Sequence, residues 1–110
     1  MSKAETFENM FDGCRRFNCD ISQWDVSNCK VFAFMFYGTK SFNQPIGKWN
    51  MSNATALGMM FGESNFNSPL NKWDVSHVDD MTGTFYNATK FNKPLNNWNV
   101  INVLNMDMMF

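Results

Sequence analysis

A near-identical phrase recurs four times along this chain: Phe17-Asn18, Phe42-Asn43, Phe66-Asn67 and Phe91-Asn92 each precede a tryptophan by seven residues. The tryptophans stand at 24, 49, 73 and 98, so the steps are 25, 24 and 25 residues. A period of that length marks stacked supersecondary units, none of which can bury its apolar face alone. Residues 1–110 are therefore read as a single repeat domain, and expectation moves from catalysis toward shape and contact.

Aligning the units gives columns with distinct chemistry. Phe7, Phe32, Leu57, Met81 and Met106 open each one. Three and four residues on come Met10-Phe11, Met35-Phe36, Met60-Phe61, Thr84-Phe85 and Met109-Phe110. Apolar residues at i, i+3 and i+4 make one stripe of an amphipathic helix, and Cys29, Ala54, Val78 and Val103 extend it by a turn. Ser27, Ser52 and Ser76 precede the stripe as N-caps, with Ile101 in the fourth such position. The spacing thus predicts helices near 4–14, 28–39, 53–63, 77–88 and 102–110.

The other half of each unit reads as an extended run, near 17–26, 42–51, 66–75 and 91–100, with Pro45, Pro69 and Pro94 limiting it to short strands. The one-residue deletion falls between Phe61 and Phe66, in the connection, where a length change is tolerated. Helix and short strand in alternation predict an α/β class, an LRR-like solenoid of about four repeats with a parallel strand ladder. It begins and finishes in the helical half, as four full units and a fragment.

Composition narrows the function. Apolar residues are 45% of the chain, too many for a disordered segment. Nine Lys plus Arg against ten Asp plus Glu, with no basic block, argue against a nucleic-acid partner. No apolar stretch is long enough for a membrane span, and the polar start at residues 1–5 does not read as a signal peptide. An intracellular or virion-associated protein, or a fragment of a surface protein, is the expected setting. Three cysteines and one histidine, His77, supply neither a disulfide framework nor a metal-ligand cluster. Cys14 and Cys29 fall in small, core-facing columns, whereas Cys19 falls in a polar one. No catalytic triad, carboxylate pair or phosphate loop breaks the repeat, so no enzyme, cofactor or small-molecule substrate is expected.

The composite signature resembles the BspA-like leucine-rich repeats, in the form repeated in mycoplasma-type surface lipoproteins. Its residues here are Met35-Phe36, Thr39, Phe42-Asn43, Ile46 and Trp49-Asn50-Met51-Ser52-Asn53-Ala54, and Met60-Phe61 through Trp73-Asp74-Val75-Ser76-His77-Val78. The resemblance implies an LRR-like coil used for adhesion or protein–protein contact, without activity or cofactor. Asp20, where the pattern has proline, marks an atypical first unit.

Each column has a structural and a functional reading. The tryptophans could offer a sugar-stacking platform; their regular spacing beside Val26, Met51, Val75 and Val100 favours a buried ladder. The asparagine column reads as turn-capping amides rather than a binding ladder. The methionines read as gap-filling core. What varies between units is a polar strip, from which Gln44, Lys48, Asn71, Lys72, Lys93 and Asn97 are the candidate contact surface. Met106, Met109 and Phe110 are a candidate self-association end, which makes a structural or assembly subunit the alternative to a protein-contact module.

Overall fold

The structure, a computed structural model, describes residues 6–110. The helix-plus-strand solenoid expected from the spacing does not form. Among the described residues there is no α-helix, and the one helical element is a single 3-10 turn, Ile46–Lys48. Strand character is confined to isolated parallel bridges linking Thr6, Val31, Ala56, Asp80 and Asn105, one per unit, with no sheet. Residues 4 and 5 of the first expected helix, and the polar start, lie outside the described residues.

Turns replace both element types. In the half of each unit expected to be helical, Met10, Met35, Met60, Thr84 and Met109 donate their N–H to the carbonyl three residues back, at 3.0–3.2 Å. The residue before the donor carries a positive φ: Asn9 at 61°, Phe34 at 59°, Met59 at 56°, Gly83 at 60° and Met108 at 54°. A second turn follows, with Gly13, Gly38, Glu63 and Asn87 in the left-handed position. Two left-handed residues per nine or so break the right-handed helix that the same apolar spacing would otherwise suit.

The remaining amides run between units. Phe7, Asn9, Phe11 and Gly13 donate to the carbonyls of Val31, Ala33, Met35 and Tyr37, and the pattern repeats through Phe85 to Met109, at 2.7–3.0 Å. Alternate N–H groups thus close turns and tie coils together. Both sets of bonds form without α-helix or sheet. We call this half of each coil the turn arm.

The second half, the tryptophan arm, is also built of turns. Trp24, Trp49, Trp73 and Trp98 donate N–H to the carbonyl three residues back at 3.0–3.1 Å. Next comes an Asx turn: Oδ1 of Asp25, Asn50, Asp74 and Asn99 accepts the N–H two residues on, at 3.0–3.1 Å. Ser27, Ser52 and Ser76 are therefore members of Asx turns, not helix caps, and the Ile101 N–H donates to Asn99 Oδ1 in the same way. In the shortened connection, Asn65 Nδ2 donates to the Lys40 carbonyl at 3.0 Å.

The apolar columns meet along the axis. Phe11, Phe36, Phe61, Phe85 and Phe110 stack with centroids 5.5–5.8 Å apart and planes within 13°. Within each complete coil that ring lies 3.8–4.5 Å from the phenylalanine of the Phe-Asn pair. Phe32, Met35, Ile46, Leu57, Met60 and Leu70 are fully buried among them. Cys29 joins this core, and burial pushes its thiol up to about 11. Cys14 is exposed, contrary to its column, because no coil among the described residues lies over the outer face of the first unit.

Candidate functional site

Two surfaces stand apart from the regular stack. The first is lateral. The tryptophan arms of successive coils lie side by side, and between them runs an open groove of about 620 Å³. Its lining includes Pro45, Pro69, Lys48, Lys72, Asn71 and Asn97, with Gly47 and Trp49 completing it. Gly47 is required here by proximity, since a Cβ at this position would meet the Pro69 carbonyl oxygen at 2.5 Å. No acidic side chain contributes to the lining.

Of the six candidate contact residues, the groove brings together Lys48, Asn71, Lys72 and Asn97, and leaves out Gln44 and Lys93. Gln44 is committed internally: its Nε2 donates to the Asn18 carbonyl and Oδ1, both at 3.0 Å. Asn71 Oδ1 accepts the Asn97 N–H at 2.9 Å, so this pair also ties two coils together. Lys48 and Lys72 are exposed. The prolines were legible as strand breakers but not as groove wall, and Gly47 was not singled out. The signal for Gly47 was a lone glycine in a column otherwise held by Ser22, Asn71 and Asn96.

The tryptophan and asparagine columns are structural. Trp49, Trp73 and Trp98 are 4%, 2% and 9% exposed, which leaves no face for a sugar. Their indole N–H groups donate to the carbonyls of Ile21, Ile46 and Leu70 in the preceding coil at 3.1, 2.9 and 2.9 Å. Oδ1 of Asn18, Asn43 and Asn67 accepts the N–H of the next asparagine in the column at 3.0, 2.8 and 2.8 Å. These amides bond across coils rather than within a turn.

The second surface is the face that residues 101–110 present. Ile101, Leu104 and Phe110 are 81%, 87% and 76% exposed, and Met106 and Met108 are exposed as well. Met109 is half-buried, and its carbonyl accepts the Phe85 N–H at 2.7 Å. Turn arms open at Phe7, Phe32, Leu57, Met81 and Met106, five in all, while the Phe-Asn arms number four. Among the described residues the fifth turn arm is the last element of the stack. A notch of about 340 Å³ lies beside it, lined by Phe85, Ala88, Phe91 and Phe110 among others.

Side-chain and backbone bonds repeating at one coil's spacing, around a single apolar stack, define a repeat protein built of turns. The chain belongs to the family described as Mycoplasma protein of unknown function, DUF285, which matches residues 1–65 and again 58–110. No curated protein and no solved structure matches it. Among the described residues no helix is long and apolar enough to cross a membrane.

Proposed function

We propose that this chain is a non-enzymatic repeat module for protein–protein contact, with the lateral groove as its contact surface. The observation that carries the reading is the groove itself: an apolar lining of Pro45, Pro69 and Trp49 together with exposed Lys48 and Lys72. Apolar burial supplies affinity, and the two ammonium groups select for acidic character. The BspA-like leucine-rich repeat resemblance supports contact or adhesion as the role. Panning the immobilised chain against a displayed peptide library tests it. Selected peptides should be extended and acidic, and should lose binding to a Lys48→Glu, Lys72→Glu double variant whose melting is unchanged. Binders indifferent to that reversal would remove the groove from consideration.

A second reading, a structural subunit that self-associates end to end, is favoured by the exposure of Ile101, Leu104 and Phe110 within one ten-residue segment. Light scattering over a hundredfold dilution should then show association that Phe110→Glu abolishes. A chain that stays monomeric throughout would end this reading.

A further inference from the structure

We infer that the lateral groove takes an extended peptide segment bearing carboxylates at two alternate positions, one on the backbone N–H of Lys48 and one on that of Lys72. The inference rests on the groove being the contact surface and names the pattern it selects. Three successive coils carry an equivalent backbone amide here, on Lys48, Lys72 and Asn97. In the third of them the preceding coil supplies a cap, since Asn71 Oδ1 accepts the Asn97 N–H at 2.9 Å. One coil back, the place of Asn71 is held by Gly47, which has no side chain to offer. The Pro69 carbonyl oxygen lies 2.5 Å from where a Cβ on Gly47 would stand, so packing keeps that position bare. One coil further back the residue is Ser22. Among the described residues neither the Lys48 N–H nor the Lys72 N–H reaches an acceptor.

The two coils without the cap are the two that carry lysine, and the capped coil carries Asn97 instead. An open N–H and an ammonium therefore belong to one residue, twice in succession. Both lysines are exposed, both line the groove with Gly47, and no acidic side chain shares that lining. An oxygen set where Asn71 Oδ1 lies in the next coil would accept the amide, and a negative charge on it would meet the ammonium. A carboxylate does both, through charge-assisted hydrogen bonds that are shorter and stronger than neutral ones. Spacing then sets the pattern. Successive rings of the stack lie 5.5–5.8 Å apart, which is the step from one coil to the next. On an extended chain, alternate side chains share a face about 6.6 Å apart, while adjacent ones point to opposite faces. Acids separated by one residue match two coils, and adjacent acids do not.

The probes are labelled synthetic peptides of one composition on a serine–glycine background, titrated by fluorescence anisotropy into the whole chain. The first has aspartates at alternate positions, the second has them adjacent, and the third has them four apart, as a helix would space them. The alternate peptide should bind about tenfold tighter than either isomer. Nitrogen–proton spectra should show the backbone amides of Lys48 and Lys72 moving downfield on binding, while the capped amide of Asn97 stays in place. Asparagine for both aspartates should weaken binding by about tenfold. Lys48→Gln with Lys72→Gln should do the same yet keep the two amide shifts at saturation, because the N–H groups remain. Equal binding of the isomers, preference for another spacing, or unmoved amides at 48 and 72 would overturn the inference. If the isomers bind equally and lose binding to the Lys48→Glu, Lys72→Glu variant, the groove stands as contact surface and only the pattern fails. If none of the three binds, the pattern fails, and the peptides selected by panning decide the groove on their own.

Discussion

The two arms of each coil join it to its neighbours by different means. On the turn arm the backbone does the joining: Phe7, Phe32, Leu57 and Met81 each send an N–H to the next coil, whatever the side chain. That column accordingly tolerates Phe, Leu and Met, and the next holds Thr84 among methionines. On the tryptophan arm side chains do it, through Asn Oδ1 and the indole N–H, and there the chain repeats asparagine and tryptophan in every unit. Identity is fixed where a side chain is the hydrogen-bonding partner. At residues 7, 32, 57 and 81, where the backbone is the partner, only size and hydrophobicity are constrained, while the Phe11, Phe36, Phe61, Phe85 and Phe110 column keeps its identity through ring stacking.

The largest expected effect breaks the tryptophan arm. Trp73→Ala should cost about 3–5 kcal/mol in denaturant melts, for the lost aromatic volume, while Leu57→Met on the turn arm should stay under about 1.5 kcal/mol. Comparable losses from the two would dissolve the distinction. Asn43→Ala comes next. It leaves the Asn67 N–H and the Ser68 hydroxyl without their acceptor, now at 2.8 and 2.9 Å, and should cost about 1–3 kcal/mol. Gly47→Ala should cost a similar amount, about 1–3 kcal/mol, because the added methyl meets backbone of the next coil rather than a side chain that can move.

The period and the buried Trp, Phe and Met columns were legible in the sequence, because burial in a stack repeats whenever the stack does. The secondary structure was not. An i, i+3, i+4 apolar pattern describes a helix stripe, and equally a pair of consecutive turns whose left-handed residues point the same positions inward. Phe34 and Met59 occupy left-handed positions that bulky side chains seldom adopt, so nothing at those sites announces a turn. Gly13, Gly38 and Asn87 in one column were the available signal. Of the lateral site, the lysines were readable as variable surface; the groove between them was not, since its walls come from residues that look like strand breakers and core.

Smaller effects sharpen the comparison at the coil corners. Ile101→Ser should change stability by no more than about 0.5 kcal/mol, because Asn99 already accepts the Ile101 N–H at 3.1 Å; hydrogen exchange at residues 103–107 measures it. The smallest effect is electrostatic. Hydrogen bonds from Ser27 and Ser76 hold the carboxyls of Asp25 and Asp74 below their ordinary 3.8. Groups depressed on folding stabilise fully above the ordinary value and lose that contribution as pH falls through the depressed one. Asp25→Asn with Asp74→Asn keeps the Oδ1 acceptors, as Asn50 and Asn99 do, but removes the charge, so the melting temperature should fall slightly at pH 7 and converge on that of the parent chain below pH 4.

The uniform reach of the inter-coil bonds has a kinetic consequence. Asn43 to Asn18, Trp49 to Ile21 and Phe61 to Thr84 span 25, 28 and 23 residues, so nearly every tertiary contact closes a loop of one coil's length. Closing a first loop of that size costs about 3 kcal/mol of chain entropy plus a constant, and one interface must form before anything offsets it. Each later coil adds to a surface already in place. Nucleation can therefore begin at any adjacent pair and spread in both directions, with a rate set by the pair and not by the length of the array.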